Sequence, residues 1–189
     1  MNCPNTPSQT VGPFFSIGFS WLERNDLTRG ATSGTRVTIR GRVLDGEGQP
    51  VPDAVIEIWQ ADPDGRYADV EDARSLMATN SFFGFGRVSV SDQGEFRFTT
   101  IKPGQVQGPD GKPQAPHLEV SIFMRGLLRR LVTRIYFPAE SANEADAVLG
   151  MVPAQRRQTL VAQPIAAESE TLVWDVHLQG DHETVFFDY

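Results

Sequence analysis

The stretch PQAPHLEVS, Pro113 to Ser121, puts a histidine and a carboxylate two residues apart, His117 and Glu119, on what reads as the start of a β-strand. Side chains of a strand alternate between its faces, so these two project together. An imidazole nitrogen beside a carboxylate oxygen can share a metal ion, pass a proton, or simply hydrogen-bond. One of each is only half of a metal site, and a lone strand histidine is usually a hydrogen-bonding residue. The other histidines, His177 and His182, stand far along the chain in DVHLQGDHE. A run of acids in RYADVEDARS (Asp69, Glu71, Asp72) has the residue types for acid–base work, but a charge run in a loop is more often a solvated face. GFGRV is too short for a phosphate cradle and no helix follows it. Phe82, Phe83 and Phe85 read as packing residues rather than a ligand cage.

These residues need a frame, and its pattern has period two. RVTIRGRVLD alternates Val37, Ile39, Gly41 and Val43 against Arg36, Thr38, Arg40 and Arg42, as a half-buried strand does. DAVIEIWQAD sets Ala54, Ile56 and Ile58 against Val55, Glu57 and Trp59. Further strands are expected in GEFRFTT, HLEVSIF, LRRLVTRIYF, TLVWDVHLQG and ETVFFDY, each bounded by turn residues. Many short strands with short turns predict an all-β chain, a β-sandwich or barrel. One short helix is expected in PAQRRQTLVA, with Pro153 in its first turn and Leu160 and Val161 packing inward.

Residues 1–35 are expected to form an N-terminal arm and residues 36–189 the strand domain. The arm carries Phe14, Phe15, Phe19 and Trp21, costly to leave in water, so it should pack on something, a second chain in particular. The long stretch DGRYADVEDARSLMATNSFFGFGRV reads as an ordered, functional or interface-forming loop. The chain has 189 residues, 40% of them hydrophobic, enough for one buried core. A formal charge of −7 with no clustered basic face excludes nucleic acid and anionic membranes as partners. The single cysteine, Cys3, has no internal partner, the N-terminus lacks a signal-peptide core, and no apolar run approaches the ~20 residues that span a bilayer; a cytoplasmic protein is expected.

GEGQPVPDAVIEIWQADPDGRY, then FGFGRV, DQGEFRFTTIKPG and APH opening a strand, resemble the intradiol ring-cleaving dioxygenases in order and spacing from Arg36 onward. TPSQTVGPFF and ETVFFDY resemble the chain that carries no iron in the two-chain members. The resemblance implies a β-sandwich holding a non-haem Fe(III) through two tyrosines and two histidines. Such a site chelates a catechol and lets O2 split the bond between its hydroxyl-bearing carbons.

Here the implied ligand positions fall on Tyr67, Val106, His117 and Glu119, so two ligands remain, and a substrate-stabilising arginine is replaced by Gln114. The resemblance therefore implies vestigial metal positions, with Fe(III) bound by a homologous β chain as partner and a carboxylated catechol and O2 as substrates. It also implies that Thr10, Gly12 and Pro13 of the arm, with Arg134 in TRIYF, bind substrate. Alternation places Arg134 beside Val132 and Tyr136, and its guanidinium is expected to emerge from a partly apolar surface; the alternative is a surface salt bridge. Two other readings stand beside this one: a catalytically silent, transthyretin-like binding or assembly module, and a homomeric dioxygenase using Tyr67 and His117.

Overall fold

The computed structural model describes residues 5–29, 33–69, 71, 82–108 and 111–188. Cys3, Asp72 and most of the long loop after Asp69 lie outside the described residues. The chain is mostly strands with few short helices. One sheet is built around β1 (Arg36–Leu44), which pairs antiparallel with β4 (Glu95–Ile101) and, on its other side, parallel with β10 (Glu168–Val173) and then β11 (Val176–His177); β9 (Gln163–Ile165) closes the edge against β10. The second sheet has the order β3 (Phe85–Ser89), β2 (Val55–Trp59), β7 (His117–Phe123), β8 (Leu131–Tyr136), all antiparallel. A two-residue ribbon joins β5 (Val106–Gln107) to β6 (Pro113–Gln114).

The two sheets share one apolar core: Ile39, Val43, Phe96 and Phe98 from the first, Ile56, Ile58, Leu118, Val120 and Ile122 from the second. The predicted alternation holds on these core faces and breaks at particular residues of the opposite ones, while Arg36, Arg40 and Arg42 of β1 stay exposed as expected. Thr38 is buried despite its place in the polar row of β1: its hydroxyl lies 3.3 Å from that of its register partner Thr99, whose backbone pairs in turn with Asn25 and Leu27 along the outer edge of β4. Val55 is buried because its register partner Phe123 is covered by Phe15. Leu27, in the segment expected to be arm, is 2% exposed and belongs to this chain's own core.

Four element expectations need correction. PAQRRQTLVA is not an α-helix but a 3₁₀ helix over Ala154–Leu160, with Pro153 outside it in an extended conformation. At three residues per turn Arg157 and Leu160 share a face; Leu160 is buried while the Arg157 side chain donates to the Gly150 and Val152 carbonyls. Among the described residues ETVFFDY makes no strand, only a single bridge from Phe187 to Val132. The expected single helix is joined by two short α-helices, α1 (Phe14–Phe19) in the arm and α2 (Ala147–Met151). The second is capped by Asp146, whose side chain accepts from the Leu149 amide. TLVWDVHLQG is interrupted at Trp174 and Asp175. A side chain at Gly41 of β1 would strike the Trp174 carbonyl oxygen, its Cβ 1.8 Å away, so glycine is required for this close approach. Among the described residues no helix is long and apolar enough to cross a membrane.

Candidate functional site

The outer face of the second sheet carries the chemistry. Register sets His117 opposite Tyr136 and Glu119 opposite Arg134, so all four side chains leave the same face. Glu119 also faces Trp59 of β2. Trp59 stacks on Tyr67, ring centroids 5.9 Å apart, which brings the DGRY loop over this end of the sheet. That loop is wound about Asp62, whose carboxylate accepts from the Asp64 and Arg66 amides and from the Arg66 guanidinium. Gly65 turns it at φ 74°; a Cβ there would lie 1.9 Å from the Gln105 carbonyl oxygen, so the chain leading into Val106 abuts the turn. Val106 is buried and pairs with Gln114. Tyr67, Val106, His117 and Glu119 are thus linked through direct neighbours at one end of the sheet.

What joins them is Arg134. Its Nη2 lies 2.6 Å from Glu119 Oε1, and its Nη1 donates to Gln114 Oε1 at 2.8 Å and lies 3.4 Å from the Tyr136 hydroxyl. Arg134 is only 6% exposed. The expectation that its guanidinium emerges at the surface is therefore corrected: the side chain turns along the sheet into the carboxylate directly opposite. His117 Nδ1 lies 2.7 Å from the Ala115 carbonyl oxygen and its Nε2 3.6 Å from Glu119 Oε1. Burial works against the Glu119 carboxylate, but the His117 and Arg134 contacts outweigh it and hold its pKa below the ordinary value.

Behind this group, Tyr136 is fully buried, and burial pushes its phenol far above the ordinary value, so it stays protonated and donates to Asp146. The sequence reading named Tyr136 only as a neighbour of Arg134 on its strand and passed over Asp146. Their signal lay in aligning HLEVSIF against LVTRIYF as a hairpin, which sets Tyr136 against His117.

The residues present do not fit a ferric ion. Of two phenolates and two imidazoles one of each remains, and the one carboxylate at these positions is already matched by a buried guanidinium that a metal cation would have to displace. Among the described residues no group of three or more His, Cys, Asp and Glu could hold a metal. Asp69 and Glu71 are exposed, and the Asp69 carboxylate accepts from the Glu71 amide, as a solvated turn does. Phe83 and Phe85 pack edge to face, with Phe83 against Trp59.

The arm residues lie at the other end of the second sheet. Thr10 Oγ1 accepts from the Gly126 amide at 2.8 Å, Gly12 and Pro13 are exposed, and α1 follows. The arginine beside the Gly126 amide is Arg125, missed by the sequence reading although an Arg-Gly pair at a turn is a visible signal; its side chain is 59% exposed and pairs with Asp53, while Arg129 and Arg130 border the arm nearby.

Comparison with known proteins agrees with this frame. The family profile described as Dioxygenase matches residues 12–180. The chain is 40% identical over 201 residues to the protocatechuate 3,4-dioxygenase alpha chain of Pseudomonas putida, covering 98% of this chain and 97% of that one. It is 34% identical over 144 residues to the protocatechuate 3,4-dioxygenase beta chain of Burkholderia cepacia, covering 75% of this chain and 61% of that one. Among solved structures, the dioxygenase domain of a dioxygenase carbohydrate-binding protein fusion from Streptomyces sp. SirexAA-E aligns with a TM-score of 0.63 at 25% identity, over 84% of this chain and 88% of that one.

Proposed function

We propose, from the premise that this chain belongs to the intradiol dioxygenase family, that it is the α, non-iron subunit of a protocatechuate 3,4-dioxygenase and works beside a homologous β chain. The enzyme so formed cleaves protocatechuate with O2 between the two hydroxyl-bearing carbons, giving 3-carboxy-cis,cis-muconate in aromatic degradation. The observation that carries this reading is the buried Arg134–Glu119 pair among the vestigial metal positions, in a chain similar end to end to an alpha chain. The Fe(III) of the β chain supplies the activation of the catechol. This chain supplies a wall of the pocket and a grip on the substrate's carboxylate. The two sheets with a common core are read as a β-sandwich over residues 36–189, and residues 1–35 as an arm that reaches the partner.

On the substrate side we place Thr10, Gly12 and Pro13. For the carboxylate the geometry favours Arg125 over Arg134. Arg125 is exposed next to the amide that anchors Thr10, whereas Arg134 is buried and bound to Glu119 and Gln114. A guanidinium offers a carboxylate two parallel donors, which orients the ring as well as binding it.

The test is co-expression. Purified alone, the chain is expected to be colourless, without stoichiometric iron and inactive; co-expressed with the β chain it should yield the red tint of phenolate-to-iron charge transfer together with ring cleavage. An iron-loaded, ring-cleaving preparation of the lone chain overturns the reading.

A further inference from the structure

The end of Arg134 sits in a ring of polar atoms gathered from three strands. Gln114 Oε1 comes from β6, Glu119 Oε1 from β7 and the Tyr136 hydroxyl from β8, at 2.8, 2.6 and 3.4 Å from its terminal nitrogens. His117 Nε2 stands 3.6 Å from the same Glu119 oxygen. The ring is held from behind: Asp146 accepts from the Tyr136 hydroxyl and from the Ala115 and Leu149 amides. These partners are fixed by register and by capping, not by Arg134, so they should keep their places without it. The three oxygens that meet the guanidinium carry one negative charge, on Glu119, and the two neutral ones are directed at a flat, two-pronged donor. That charge suits a monovalent cation, and the shape suits a guanidinium better than a spherical ion. The Glu119 side chain is 26% exposed and Arg134 only 6%, so removing the arginine alone leaves a half-buried carboxylate that lacks its counter-charge and a vacancy that favours a cation.

We propose that Arg134 is the built-in cation of this site, filling a preformed socket that binds free guanidinium once the side chain is shortened. The inference rests on this chain's own contacts and not on the partner, so its failure would leave the assignment as a non-iron subunit standing.

The experiment uses the full-length chain carrying Arg134→Ala. Its melting temperature should fall by roughly 10 °C, in line with breaking a buried pair in a chain of this size. Guanidinium chloride at about 10 mM, far below denaturing strength, should restore at least half of the loss, while equal sodium chloride or cobalt chloride should not. Adding Glu119→Gln to this variant should abolish the rescue. Equal rescue by sodium or cobalt, rescue that survives Glu119→Gln, or no rescue in a folded variant each overturns the proposal. If Arg134→Ala does not fold, a cycle of Glu119→Met, Arg134→Met and the double variant decides. The socket predicts that the double variant recovers at least half of what the worse single variant loses, whereas strictly additive losses refute a charge-matched site.

Discussion

Glu119 is the residue at which opposing effects on this site meet. Burial alone would make its carboxyl a weaker acid; the His117 and Arg134 contacts reverse that, so its pKa is lower folded than unfolded. A depressed carboxylate contributes stability that is present above its unfolded pKa, ordinarily about 4.3, and is lost as pH falls through the folded value. Melting temperatures measured from pH 7 downward should therefore drop on the acid side for the wild type. The Glu119→Gln variant should start lower and lose less over the same range; an unchanged acid limb would mean that the pair contributes little. Arg125 belongs to the same scale but to the substrate. A carboxylate remote from the reacting carbons is held alike in ground and transition states, so losing its partner should appear in KM rather than kcat. Arg125→Ala in the assembled enzyme is expected to raise KM for protocatechuate about tenfold, a loss of ~1.4 kcal/mol, and to change KM little for catechol without the carboxylate. Equal changes for both substrates would assign Arg125 to the fold or the interface.

At the scale of elements, the arm shows what sequence pattern reads well and what it does not. The strands with one face in the core were legible because period two survives wherever water and core lie on opposite sides, as in β4, where buried Phe96 and Phe98 alternate with exposed Glu95 and Arg97. The pattern failed where both faces are covered, at Thr38 and Val55, since the covering segments come from distant parts of the chain. Helix α1 was hidden for a related reason: a six-residue helix has no intrinsic stability and forms only on a docking surface. That surface is visible in the structure. Phe15 packs on Phe123 at 5.4 Å between ring centroids, and the Arg87 guanidinium lies 4.5 Å from the centre of the Phe19 ring while bonding Glu57. Arg87→Ala removes the cation over Phe19 and leaves Glu57 unpaired, so α1 should loosen. Limited proteolysis of the variant should cut within residues 5–22 several times faster than in the wild type, alongside a lower melting temperature from the unpaired Glu57; unchanged cleavage would show that Arg87 does not hold the helix.

Across the whole molecule, the resemblance implied two missing ligands, at Val106 and Glu119, from residue type alone. Residue type could not display the Arg134–Glu119 pair, because it depends on the register of β7 against β8. The same holds for the molecular surface. The formal charge of −7 should keep copies apart, yet no residue before Glu23 is charged, and the arm exposes Phe14 at 79%, Ile17 at 64% and Trp21 at 79%. Nearby, Gln9 and Val11 line a hollow of about 190 Å³ with Phe123, Leu127 and Leu128, bounded by Arg129 and Arg130, and Leu128 is 63% exposed. Net repulsion is screened within about 10 Å at ordinary ionic strength, whereas an uncharged aromatic patch remains attractive at contact. The lone chain should therefore self-associate as concentration rises, and should form one defined complex when the β chain covers the patch with an interface of roughly 1,200 Å² or more. Light scattering coupled to size-exclusion chromatography checks both. The triple variant Phe14→Ser, Ile17→Ser, Trp21→Ser separates the patch from general stickiness: alone it should run as a monomer, and with the β chain it should assemble poorly and lose activity in proportion. A wild-type chain that stays monomeric when concentrated, or a triple variant that assembles normally, would place the partner surface elsewhere on the molecule.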